Sequence, residues 1–404
     1  MATLTLVSAG NLNARNDLLK PTLRIQQITE TDFGGSLQSE WQALESRLSP
    51  RTPFTSSLWN NLWWKHLRSR RLMADQDLLV HAVRDSNGTL LAVAPMTCTR
   101  RPSVGPLKLR VLCPFGTDPN LTELRSVVCA PQDEVRVIQA LREQITRNHS
   151  FDWIEWGDLR EPNWGGAARL LPAPRVYTRG TNTDFHLELP SSWEEFRASR
   201  PRNVKEAIRK CYNSLKRAGH VAHLTVVDSA AGCEEALQVF FTLHSMRSRA
   251  SDTISHADVC ASPAAREFLS AYSHEMAQRG QLRIFQLRVG GAVVATRIGF
   301  LFGDELYLYY SGYDTGWGQF SVMTTLLVEV IRWAIDQKLR IVNLSTGADV
   351  SKQRWRPVAT EYRSLVEVMP GARSRLAFHA FHVLKRWVSP RNARQPVACR
   401  PEAT

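Results

Sequence analysis

The sequence predicts an α/β fold built as two similar units side by side, each a mixed, mostly antiparallel sheet flanked by helices. Its 404 residues suffice for two or three domains. Apolar residues make up 43% and charged residues 22%, the balance of a chain that folds rather than stays disordered. The most informative observation is a weak duplication. Two β-prone hairpins occur, each followed by more strand-like sequence, then a helix, then another strand.

The first hairpin joins apolar runs at 78–84 and 90–97 through Asp85-Ser86-Asn87-Gly88, whose Asn-Gly pair suits a tight turn. The second joins 282–289 and 292–302 around Gly290-Gly291. A helix is expected near 132–147, leading into a strand at 151–156. Its counterpart near 321–337 leads into a strand at 340–344. In that second helix Met323, Leu326, Leu327, Val330, Ile331 and Ala334 share one face, with Ser321 as N-cap. The Pro- and Gly-containing stretch 161–180 reads as a linker. The chain then divides into a flexible N-terminus (1–20), a first unit (21–180), a second unit (181–370) and a basic helix with a tail (371–404).

Lys and Arg number 51 against 38 Asp and Glu, a net charge of +13. That excess favours anionic partners: a phosphorylated cofactor, nucleic acid or an anionic membrane surface. Seven cysteines lie far apart with no C-x-x-C pair, which argues against a disulfide framework and for a reducing compartment. Residues 1–20 do not read as a secretory signal, and no run of about 18 uncharged apolar residues occurs. A soluble, cytoplasmic protein is expected. There is no H-E-x-x-H, G-x-S-x-G or P-loop motif, and the histidines lack metal-ligand spacing. Metalloenzyme, hydrolase and P-loop readings drop out, and no metal is expected.

Ahead of the second helix stands Asp314-Thr315-Gly316-Trp317-Gly318-Gln319-Phe320-Ser321. A glycine-containing loop opening into a helix offers backbone N–H groups to a phosphate or diphosphate. The same residues also suit a turn that only caps the helix. Residues 200–217 hold seven Lys or Arg and one Glu, with Val204, Ile208, Cys211 and Leu215 as an apolar stripe. Lys205 and Arg209 on the other side form either a solvated basic face or an anion site. Residues 376–387 read as a short basic amphipathic helix, open to packing, membrane contact or an acidic partner. Residues 389–404 look disordered.

Four stretches carry a family resemblance. They are Thr52-Pro53-Phe54-Thr55-Ser56-Ser57-Leu58-Trp59 with Trp63-Trp64, then Phe241-Thr242-Leu243-His244-Ser245-Met246-Arg247, then Tyr307 to Asp314, and Gly347-Ala348-Asp349-Val350-Ser351-Lys352-Gln353-Arg354-Trp355. Over roughly residues 50–370 their order resembles the tandem acetyltransferase-like group of BioF2-like and cellulose-biosynthesis CelD-like proteins, with the Fem-type peptidoglycan aminoacyltransferases as relatives. The resemblance implies two GNAT-type N-acetyltransferase folds, the second keeping the donor site and the first degenerate. In agreement, Thr117-Asp118-Pro119-Asn120 stands in the first half where Gly316-Trp317-Gly318 stands in the second. The implied reaction moves an acyl group from acyl-CoA, acetyl or longer, to an amine-bearing small molecule, peptide or sugar. The pattern departs at Ser321-Val322-Met323, where many relatives have Ser-Pro-Gly.

That chemistry sets needs for particular residues. An ammonium acceptor must lose a proton, and His244 and Asp314 are the candidate bases. A buried structural histidine and a turn cap are their alternatives. The oxyanion and the leaving thiolate need positive charge or donors. Lys352 stands where relatives hold a functional lysine. Tyr310, Ser311, Gly316, Gly318, Gln319, Phe320 and Ser321 are assigned to the donor. Lys205, Arg209 and Arg247 are assigned to phosphate or an acidic acceptor, and Arg354 and Trp355 to the substrate side as flanks of Lys352, Trp355 being equally suited to the core. Three rivals stay open: a tRNA-dependent Fem-type transferase, a polysaccharide O-acyltransferase, and a non-catalytic basic protein on a decayed fold. The charge suits tRNA, although no separate coiled-coil arm is visible. Peripheral membrane contact is open as well.

Overall fold

The structure is a computed structural model that describes residues 5–6, 23–71, 74–101, 108–118, 120–148, 151–161, 163–170, 176–250 and 257–388. Of the expected flexible N-terminus only Thr5–Leu6 is described, and the expected disordered tail 389–404 lies outside the described residues.

One sheet runs through the whole molecule. Its first-half strands are β1 (Arg24–Ile28), β2 (Ala74–Arg84), β3 (Leu90–Arg101), β4 (Leu109–Pro114), β5 (Trp153–Arg160) and β6 (Val176–Glu188). The second-half strands are β7 (Ala222–Val227), β8 (Leu282–Val289), β9 (Ala292–Phe302), β10 (Glu305–Tyr313), β11 (Ile341–Thr346) and β12 (Val358–Val368). Across the sheet they follow the order β7-β8-β9-β10-β11-β6-β12-β5-β4-β3-β2-β1. The principal helices are α1 (Leu37–Glu45), α2 (Ser57–Leu67), α3 (Glu134–Asn148), α4 (Asn163–Leu170) and α5 (Trp193–Ser199). They continue with α6 (Arg202–Arg217), α7 (Ala230–Ser248), α8 (Pro263–Gln278), α9 (Val322–Asp336) and α10 (Ala372–Val388).

The duplication is borne out strand by strand. In β2-β3-β4-α3-β5 the pairings are antiparallel, antiparallel and parallel. In β8-β9-β10-α9-β11 they are the same. The hairpin turns behave as their residues require, since Gly88, Gly290 and Gly291 all have positive φ. The closing strands are exchanged. β6, which follows the first unit's β5, pairs with the second unit's β11, and β12, which follows β11, pairs with β5. The stretch 161–180 is therefore no free linker: it holds α4 and the opening of β6, and position 180 falls inside a strand.

Packing joins the halves further. Trp59 from the N-terminal aromatic signature is buried edge-on against Phe268 and Tyr272 of α8, with ring centroids 4.8 Å apart in both pairs. The apolar face of α9 (Leu326, Val330, Ile331, Ala334) is buried over Phe285, Leu287 and Leu308 of the second unit's strands, as its periodicity predicts. The C-terminal helix packs on the body: Phe378 is fully buried against Trp153, Val366 and Val368. Among the described residues no helix is long and apolar enough to cross a membrane.

Candidate active site

The site arises from a failure of strand pairing. β10 and β11 are parallel neighbours only over Glu305↔Ile341, Leu306↔Val342 and Tyr307↔Asn343. Beyond that register β10 runs on to Tyr313 and β11 to Thr346 without pairing, and the strands part. A cleft opens there, with Tyr310 and Ser311 on one wall and Leu344, Ser345 and Thr346 on the other; it belongs to a cavity of about 1310 Å³ that continues along the seam to Gly157 and Asp158 of the first unit. That volume exceeds the roughly 300–1,000 Å³ of common small-ligand pockets. The first unit starts to part in the same place, since β4 and β5 pair only at Val111↔Trp153 and Leu112↔Ile154. There the chain fills its own gap: Asp158 N–H donates to Arg125 O, and Arg125 N–H to Asp158 Oδ2 at 2.9 Å. A Cβ at Gly157 would lie 2.1 Å from Arg125 O. The cleft nevertheless reaches this side too, since Pro114, Gly157 and Asp158 line it together with the residues of the second unit.

One end of the cleft is the start of α9. Residues 315–320 form a 3-10 turn, and Ser321 follows in the left-handed region (φ 55°) before the α-helix begins. Thr324 and Thr325 return their N–H groups to Ser321 O. The preceding Val322 and Met323 line the cleft, and a first helical turn gives its N–H groups no carbonyl of its own. Arg354 reaches the same end and donates to Thr324 Oγ1 at 3.0 Å. Burial lowers the pKa of its guanidinium.

The other end lies at the seam between units. Lys352, on the short helix Val350–Gln353, donates from Nζ to Ser345 Oγ (3.0 Å) and Thr346 O (2.5 Å). Burial, seconded by Arg297, holds this ammonium down to about 8, against the pull of Glu123 and Asp349. Ser345 is itself left-handed (φ 67°), so two strained non-glycine residues flank one cleft. Arg247 donates to Ser311 Oγ at 2.7 Å. Arg297 projects from mid-β9, where burial and the neighbouring Arg247 bring its guanidinium down to about 10.

Facing them is a segment of the first unit, residues 120–125. Three contacts tie it to β10: Tyr310 OH to Asn120 O (2.6 Å), Tyr309 OH to Leu121 O (2.5 Å) and Tyr307 OH to Glu123 Oε2. Burial raises the Glu123 carboxyl to about 7.

The structure brings Tyr310, Ser311, Gly318, Ser321, Arg247, Lys352 and Arg354 together on the cleft. Others lie elsewhere, and the reasons are physical. His244 sits on α7 behind β10, 3% exposed, with Nδ1 on Ser311 O at 3.0 Å and its ring stacked on Phe240. It is packed inside and is not a residue of the cleft wall. Asp314 caps the 3-10 turn, accepting the Gly316 N–H at 3.0 Å, which also occupies that glycine's donor. Gln319 is exposed off the cleft, and Phe320 packs on Trp317 and His220. Trp355 is fully buried beside Phe196 and serves the core. Lys205 donates to Ala198 O and, with Arg209, stands on the outer face of α6. The sequence reading missed Glu123 and Arg297. Arg297 had a signal, a cation inside the otherwise uncharged strand Ala292–Phe302. Glu123 had none, because its neighbours come from the other unit.

A split sheet of this kind, with a helix starting at the gap and the pattern repeated twice, defines a protein of tandem GNAT-like architecture. Residues 202–355 match the family model described as an acetyltransferase (GNAT) domain, and the chain carries that domain there. Among solved structures the chain is similar to one described as FemX, at 10% identity and a TM-score of 0.56, covering 88% of this chain and 99% of that one. It is also similar to the C-terminal domain of a putative lysylphosphatidylglycerol synthetase from Agrobacterium fabrum, at 12% identity and a TM-score of 0.48, covering 86% and 96%. At such identities the first likeness is one of fold alone, and no curated protein matches the sequence.

Proposed function

We propose that the chain is a cytoplasmic N-acyltransferase that moves an acyl group from an acyl-CoA thioester to an amine in the cleft of the second unit. The observation that carries this reading is the open gap between β10 and β11, which runs from the start of α9 to Lys352. At the α9 end the unreturned N–H groups and Arg354 suit a diphosphate. Between the strands, Tyr310, Ser311 and Leu344 border an extended arm. At the seam Lys352 offers a positive charge to a thioester oxygen as it becomes an oxyanion and to the departing thiolate. Arg247 and Arg297 are placed for an acidic group of the acceptor. Thermal unfolding with acetyl-CoA, octanoyl-CoA and free coenzyme A tests this. Binding to the folded chain alone adds about 2.7 kcal/mol of stability at a ligand concentration a hundred times the Kd. An unchanged melting temperature with all three removes the reading.

One observation favours a second reading, transfer from aminoacyl-tRNA. Arg202, Lys205, Arg209 and Lys210 form an exposed basic face on α6, which packs beside α9. Binding to tRNA that weakens steeply with salt, without any effect of thioesters, is its signature.

A further inference from the structure

Resting on the thioester reading, we infer that Glu123, a residue of the first unit, is the base that takes the proton from the acceptor amine. The carboxylate and Lys352 face one another across the seam: Lys352 Nζ donates to Thr346 O at 2.5 Å, and the two charges attract, each shifting the other's titration. Both side chains line the cleft. The segment that delivers Glu123 is held with unusual thoroughness. Trp59 Nε1 donates to Thr122 Oγ1 (3.2 Å) and Trp63 Nε1 to Asp118 Oδ2 (2.8 Å). Asp118 Oδ1 in turn accepts the N–H groups of Leu121 (2.7 Å) and Thr122 (3.1 Å). Asn182 Nδ2 donates to the carbonyl of Glu123 itself at 2.9 Å. The N-terminal aromatic signature thus acts on the cleft through this segment.

The groups facing Glu123 come from every element around it. Tyr307, Tyr309 and Tyr310 face it from β10, Arg297 from β9, Lys352 from the short helix and Asp184 from β6. Burial brings its carboxyl to about 7, opposed by the Tyr307 hydroxyl and Lys352. A base poised there is half ionised at neutral pH, where proton abstraction is best matched. In the step, Glu123 takes one N–H proton of the ammonium, and the freed lone pair forms the C–N bond at the thioester carbonyl carbon. The C–S bond breaks, and a second N–H proton passes to the thiolate beside Lys352. The third stays on the amide, and Glu123 releases its proton to solvent.

The test is thiol release from acetyl-CoA above the uncatalysed rate, with ethylamine or hydroxylamine as acceptor. Ethylamine is protonated at neutral pH and needs the base, whereas hydroxylamine is already the free amine. Glu123→Gln is expected to lower the ethylamine rate by about 100-fold and the hydroxylamine rate at least tenfold less. It should also abolish the rising limb near pH 7 that the wild type shows with ethylamine. Tyr307→Phe removes a hydrogen bond that favours the carboxylate, so it should move that limb to higher pH; this variant carries the test if Glu123→Gln does not fold. Equal losses with both amines, or an unmoved limb in both variants, overturn the assignment while the thioester reading stands. Absence of thiol release by the wild type with either amine overturns both.

Discussion

Replacing Lys352 by methionine separates the cost of this side chain from its use. Burial holds the folded-state pKa at about 8, against an ordinary 10.5. Between those values the unfolded chain carries a proton that the folded chain has shed, so wild-type stability rises with pH across the window. At about 1.36 kcal/mol per pH unit the gap is worth ~3 kcal/mol, an upper value because the side chain is only half-buried. Methionine abolishes that penalty but leaves Ser345 Oγ and Thr346 O without their donor, at about 1 kcal/mol each. The variant should therefore be about 1 kcal/mol more stable than wild type at pH 7 and about 2 kcal/mol less stable once pH exceeds 10.5. Urea unfolding of both proteins at pH 7, 9 and 10.5 measures the difference directly. A difference that stays constant over that range refutes the reasoning. Under the transferase reading the same variant also loses about 10²–10³ in turnover, as removal of an oxyanion donor does.

Other outcomes follow from single contacts. Gly312→Ala places a Cβ 2.3 Å from His244 N and 2.5 Å from Leu243 C, backbone that cannot give way; a drop of about 3 kcal/mol or more in unfolding free energy is expected. Trp59→Ala should cost about 3–5 kcal/mol by chemical denaturation, and a cost under 1 kcal/mol would separate the signature from the shared core. Burial lowers the pKa of His244, which keeps the ring neutral in the folded state, so stability falls as pH drops below the ordinary 6.5; His244→Gln should flatten part of that limb. Reversing charge at Lys205 and Arg209 should leave acetyl-CoA affinity unchanged, because neither lines the cleft. If tRNA binds, the same change should reduce its salt slope by about two.

Local pattern carried the fold a long way. The Asn87-Gly88 and Gly290-Gly291 turns, the alternating runs beside them and the apolar stripe of α9 each predict an element from residues adjacent in sequence, and each element stands where expected. The same information gave the Gly316–Ser321 approach to α9 and the lysine-bearing loop, because backbone conformation and helix start are local properties. What only the tertiary structure decided is long-range. The exchange of β6 and β12 puts the closing strand of each unit beside the other unit, so a boundary read from composition at 161–180 fell inside the sheet. Motif membership placed His244 and Trp355 at the site, but packing turned both inward, since a ring on a helix behind a sheet is buried whatever sequence surrounds it. Glu123 and Lys352 are 229 positions apart and line one cleft only because the two units are joined edge to edge in one sheet. Sequence spacing sets which residues neighbour each other along a strand or helix; the sites formed where two units meet are set by how their sheets close.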